Sequence, residues 1–183
     1  SAEIDSMSME FFAYPWMENF FKEDTAKYRY AHMCGTITFL PYGVLVDHYQ
    51  EEIYSHPERS IEERKQCWRN LEKMYQPYKN YEECPFLEKG TWWYQQGHIF
   101  QSPFYYIDYT LAQVVAQQFF IRMDQKDETY WEDYKTILKL GGTKSFTQLV
   151  KAAHLTVPFE DGCIERIMNY LSNVLDQVND KAL

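Results

Sequence analysis

Gly97-His98-Ile99-Phe100-Gln101-Ser102-Pro103-Phe104-Tyr105-Tyr106-Ile107-Asp108-Tyr109 sets the reading of this chain. A glycine-flexed loop carries one histidine, a proline follows that suits the first turn of a helix, and tyrosines then lie on the helix itself. On this reading the tyrosine helix runs from Pro103 to about Met123. Tyr105 and Tyr109 are spaced i,i+4, and Tyr106 and Tyr109 are spaced i,i+3, so either pair projects from one helical face. A phenol stays protonated at neutral pH and can donate a hydrogen bond to an oxyanion, as can a nearby imidazole. The same residues also fit a plainer role, as rings packed into a core or as a tyrosine-rich face of a non-enzymatic helical module that binds a partner.

Outward from this stretch the periodicity is helical. Ile4, Met7, Phe11 and Phe12 repeat at helical spacing, and Pro15 opens a short segment from Trp16 to Phe21. Asp24-Thr25 can cap a long helix through Phe39, with Pro41 starting or kinking its continuation towards Tyr54. Ser60-Ile61-Glu62-Glu63 is a capping box for a helix to about Tyr75, and residues 76–85 carry loop signals. A helix from about Phe86 to Tyr94 precedes the His98 loop. After the tyrosine helix, one from Glu128 to Leu140 ends at Gly141-Gly142, and Ser145 with Gln148 boxes a short helix to His154. Asp161 to Val178 forms the last. No apolar/polar alternation is long enough to demand a strand, so the predicted fold is all-α.

At 183 residues the chain can bury a substantial core, and its net charge of −9 argues against a nucleic-acid or anionic-membrane binder. Tyrosines number 16 and phenylalanines 12, enough half-polar rings to line a cleft or a protein-binding face. Cys34, Cys67, Cys84 and Cys163 are scattered, without CxxC or zinc-knuckle spacing, which fits reduced thiols in a cytoplasmic protein. No apolar run approaches the ~18 residues of a membrane span.

Several catalytic classes fail on spacing. No two of His32, His48, His56, His98 and His154 are four apart, which removes His-Glu-x-x-His within this chain. The residues three before each histidine are Arg29, Leu45, Ile53, Gln95 and Lys151, which removes the Glu-x-x-His of di-iron bundles. His48 and Glu52 read as a solvated i,i+4 pair, and His32 as a packed histidine.

Three stretches, taken together and in order, resemble oligoendopeptidase F of the thimet-oligopeptidase family of zinc metallopeptidases. Glu3-Ile4-Asp5-Ser6-Met7-Ser8-Met9-Glu10-Phe11-Phe12 is similar to the family segment in which a zinc-binding glutamate is followed three positions later by serine and seven later by another glutamate. Gly97-His98 with Tyr105, Tyr106 and Tyr109 resembles the family's histidine loop and tyrosine helix. Leu140-Gly141-Gly142-Thr143, within residues 134–149, resembles its Gly-Gly-Ser turn.

The resemblance spans essentially the whole chain and implies that residues 1–183 are the C-terminal portion of a helical, zincin-type catalytic domain. It makes Glu3 one ligand of a single zinc ion, with the His-Glu-x-x-His segment upstream of Ser1. His98 and Tyr109, with Tyr105 or Tyr106, become donors to the reaction's oxyanion. It further implies short peptides as substrates and the N-terminal part of the same polypeptide as a partner. The chain alone is then expected to be inactive and, with apolar surface meant for that part, prone to self-association. Asp5 is near enough to orient a ligating histidine or to be a solvated acid.

Overall fold

The structure, a computed structural model, describes residues 2–180 and 183, and it contains helices and no strand among them. The all-α expectation holds. The chain divides into two compact units, Ser1–Ile37 with Leu111–Leu183, and Thr38–Thr110. The division falls within the Thr25–Ser55 helix and the Ile107–Asp124 helix.

In the first unit, the Ala2–Phe12 helix buries Ile4, Ser8, Phe11 and Phe12, positions that recur on one helical face. Ile4 and Phe12 enter a core with Ala112, Val115, Phe119, Tyr134, Ile137 and Val150. The Phe12 ring meets Phe119 and Tyr134 edge-on, at centroid distances of 5.9 and 5.0 Å. That geometry sets the positive edge of one ring against the negative face of the next. Arg122 fastens the unit from its side: its guanidinium donates to Asp127 at 2.6 Å, to Asp133 at 2.7 Å and to the Ala153 carbonyl at 3.0 Å. The Phe146–Ala152 helix has its full capping box, Ser145 with Gln148.

In the second unit, the Ile61–Tyr75 helix begins as its sequence predicts, with the Ser60 hydroxyl accepting from the Glu63 N–H and the Glu63 carboxylate accepting from the Ser60 N–H. This helix supplies Trp68 and Leu71 to a core with Leu45, Val46, Tyr49, Ile53, Trp93 and Ile99.

Three boundaries differ from the sequence reading. Pro41 does not start a separate helix after an end at Phe39; it lies inside the single Thr25–Ser55 helix, the continuation that is the other expectation. The lost N–H removes one hydrogen bond, and the buried flanks Leu40, Leu45 and Val46 hold the turns on either side. The helix expected from Phe86 to Tyr94 is two short pieces, Pro85–Glu88 and Trp92–Gln95, parted at Gly90. Gly90 has φ +82°, and a side chain there would lie 2.0 Å from the Lys65 carbonyl oxygen.

The third difference concerns the site. His98 stands on a helix of its own, Gly97–Gln101, and the tyrosine helix begins only at Ile107. Pro103 lies in the intervening turn, where Phe104 takes a left-handed φ of 61° and breaks the helical run that the proline suggested. Of the three tyrosines only Tyr109 is helical, so Tyr105 and Tyr106 are not placed by the helical period.

Gly43 lets the Thr25–Ser55 helix approach Tyr109's neighbour Thr110. A Cβ at Gly43 would lie 1.8 Å from the Thr110 Oγ1 and 3.1 Å from its Cβ. Replacing a helical glycine by alanine ordinarily gains about 1 kcal/mol of helix propensity. Here Gly43→Ala is expected to lower stability by about 1–3 kcal/mol, because the added methyl must displace a buried side chain. Urea unfolding reads this directly, and Thr110→Ala in the same chain should return part of the loss. A Gly43→Ala variant as stable as its parent would show that the contact is not a constraint.

Candidate active site

The short helix Gly97–Gln101 and the first turn of Ile107–Asp124 bring His98 and Tyr109 together, the Tyr109 hydroxyl 3.4 Å from the His98 Nε2. The Tyr106 ring lies edge-on to His98 at a centroid distance of 5.1 Å and the Tyr109 ring at 5.4 Å. Tyr105 and Tyr106 each lie edge-on to Tyr109, at 5.5 and 5.4 Å. The four residues singled out in sequence thus gather in the second unit, although the turn does the placing and not a shared helical face.

The tyrosines differ in setting. Tyr106 packs against Phe39 and Tyr42, and burial, with the neighbouring Tyr109, raises its phenol above the ordinary range. It therefore remains a hydrogen-bond donor at neutral pH. Tyr105 is exposed, at 39% of its full surface. Behind the histidine is a residue that sequence reasoning did not single out. The Gln96 amide nitrogen lies 2.9 Å from the His98 Nδ1, and its carbonyl oxygen accepts from the Tyr42 hydroxyl at 2.6 Å. Its only signal in the sequence is a polar side chain two residues before the histidine.

Glu3 belongs to the first unit, in the first turn of the Ala2–Phe12 helix, and is partly buried. Burial, and then the Glu3 charge, raise the Asp5 carboxyl above the usual range. Glu10, seven residues on, accepts from the His32 Nε2 at 2.8 Å, while the His32 Nδ1 meets the Tyr14 hydroxyl at 2.6 Å. His32 is edge-on to Phe11 and stacked with Tyr28, a packed histidine as its sequence context predicts. His48 lies 4.0 Å from Glu52 and 3.0 Å from the Tyr75 hydroxyl.

A protein zinc site takes three or four converging donors. Among the described residues no three His, Cys, Asp or Glu side chains converge to hold a metal ion. Glu3 offers one suitable oxygen ligand, and the described residues alone do not make a metal centre.

The family model for peptidase family M3 matches residues 1–169. Among solved structures, one assigned as oligoendopeptidase F superposes with a TM-score of 0.95 at 50% identity, covering 98% of this chain and 32% of that one. PZ peptidase A, determined with an inhibitor, gives 0.94 at 47% identity, covering 97% and 32%. A further structure assigned as oligoendopeptidase F, from Bacillus anthracis str. Ames, gives 0.81 at 45%, covering 98% and 29%. Among curated proteins none gives a significant match. The chain spans about a third of the length of the structures it resembles.

The unequal settings of Tyr105 and Tyr106 predict unequal costs of truncation. Tyr106→Ala removes a ring packed against Phe39, Tyr42, His98 and Tyr109, and is expected to destabilise the chain by about 2–3 kcal/mol. Tyr105→Ala, at an exposed position, should cost less than about 1 kcal/mol. Equal losses in denaturant unfolding would show that the two rings share one packing role.

Proposed function

The chain belongs to peptidase family M3, and on that premise we propose that it is the C-terminal portion of the catalytic domain of a cytoplasmic zinc endopeptidase that hydrolyses short peptides. The observation that carries this reading is the cluster in which Tyr106 and Tyr109 lie against the His98 imidazole and Tyr105 lies against Tyr109. The cluster brings an imidazole and phenol hydroxyls together, and peptide hydrolysis makes a transient oxyanion for such donors to bind.

Glu3 is one zinc ligand, and the remaining ligands and the general base come from another part of the same polypeptide. Zinc, when bound, lowers the pKa of its water and polarises the scissile carbonyl. The residues of this chain meet the charge that develops on the carbonyl oxygen. The His98 Nε2–H and the Tyr109 hydroxyl donate to the oxyanion, joined by the hydroxyl of Tyr105 or Tyr106. The chain by itself, with a single ligand, hydrolyses no peptide.

Such donors act on a charge that exists only after water has attacked, so they raise kcat and leave ground-state binding nearly unchanged. In the full-length enzyme Tyr109→Phe is expected to lower kcat by ~10²-fold with KM little altered, the usual cost of one oxyanion donor. Tyr105→Phe and Tyr106→Phe, made in parallel, identify the companion, since one of them should share the large effect. Near-normal kcat in Tyr109→Phe, with Tyr109→Ala merely unstable, would reduce the tyrosine to a core ring. Glu3→Gln tests the ligand separately: zinc content and activity should fall together, and an unchanged zinc stoichiometry excludes coordination by Glu3.

A further inference from the structure

Behind His98 runs a chain of hydrogen bonds whose direction the structure fixes. The Tyr42 hydroxyl donates to the Gln96 Oε1, 2.6 Å away. Burial, first, and the neighbouring Tyr106 raise the Tyr42 phenol well above its ordinary range, so that proton is retained at neutral pH. An amide whose oxygen is turned to Tyr42 presents its NH₂ to its other neighbour, and that neighbour is the His98 Nδ1 at 2.9 Å. A nitrogen that accepts from an amide carries no proton of its own. The proton of a neutral imidazole must then sit on Nε2, the nitrogen facing Tyr109 at 3.4 Å.

We propose that Gln96 and Tyr42 are positioning residues that hold neutral His98 in the tautomer with its proton on Nε2, ready to donate. The inference rests on the oxyanion-donor reading of His98. The titratable groups against His98 are the phenols Tyr106 and Tyr109. Against Tyr42 stand Tyr106 and Lys79, whose Nζ lies 5.6 Å from the Tyr42 ring and 3.5 Å from the buried Glu72 carboxylate. Among the described residues no carboxylate is hydrogen-bonded to His98, so none beside the ring draws a proton onto Nδ1. A carboxylate in place of Gln96 would do so.

The test uses the full-length enzyme. Gln96→Glu keeps the size and the acceptor for Tyr42, and adds an acceptor that draws the proton onto the His98 Nδ1. Only the imidazolium form of His98 could then donate from Nε2. This variant should gain a new ionisation on the alkaline side of the kcat profile, with kcat down ~10²-fold at its alkaline end and KM little changed. Gln96→Leu removes the orienting bond and should lower kcat by about 10-fold. In a His98→Ala background Gln96→Leu should have no further effect, because its action passes through the ring. Nitrogen NMR of the histidine-labelled enzyme gives a readout apart from activity: in the neutral ring Nδ1 should resonate as an unprotonated nitrogen and Nε2 as a protonated one, the reverse in Gln96→Glu at alkaline pH, where its ring has lost the second proton. A protonated Nδ1 in the parent enzyme, or a Gln96→Leu effect of the same size with and without His98, overturns the proposal. If His98→Ala itself leaves kcat unchanged, the donor reading of His98 falls first, and the NMR result still decides the tautomer.

Discussion

One buried amide holds the turn on which the histidine-tyrosine cluster depends. Gln50 is fully buried; its oxygen accepts from the Phe104 N–H at 2.8 Å, and its nitrogen donates to the Val46 carbonyl at 3.4 Å. A left-handed conformation at a phenylalanine costs roughly 1–2 kcal/mol. Leaving a buried amide oxygen without a donor costs a comparable amount, so the turn and the glutamine satisfy each other. Because the backbone turns there, the His98 helix ends at Gln101 and the next helix starts at Ile107. The two chain directions then converge on one imidazole.

That dependence explains what sequence reading could reach and what it could not. The helical class, both capping boxes and the packed state of His32 follow from local rules: spacing, side-chain caps and apolar periodicity. The identity of the clustered residues was legible too, from the histidine and tyrosines of one short stretch. Their arrangement was not, because it is set by Gln50, more than fifty residues away in the chain. A proline at position 103 reads locally as a helix start, whatever a distant glutamine does to the residue after it. Gln96 escaped notice for a related reason: nothing about a glutamine before a Gly-His pair shows that a tyrosine from another helix meets its oxygen.

The second unit also carries charge where burial makes charge costly. Glu72 is fully buried and has Arg69 at 3.2 Å, Lys79 at 3.5 Å and the Tyr81 hydroxyl at 2.8 Å. Each carboxylate oxygen has a donor, the condition under which a buried ion is tolerable. Lys79 in turn lies over the Trp92 ring at 4.1 Å, and Arg69 over Tyr81 at 5.1 Å. The Trp92 indole, beside this network, is braced by a cation on its face. The polar network and the aromatic packing of this unit are one construction.

Apart from the half-buried Trp92, the tryptophans are divided between the units by environment. Trp68 and Trp93 sit in the core of the second unit, both beside Tyr49, with indole N–H groups that meet no hydrogen-bond partner. Trp16 and Trp131, in the first, are open to water. Dry, rigid indoles fluoresce towards the blue and give strong near-ultraviolet dichroism, whereas wetted ones emit towards the red with weak dichroism. The two units thus carry different optical signatures, and the colour of the emitted light distinguishes loss of the histidine-bearing core from loss of structure elsewhere.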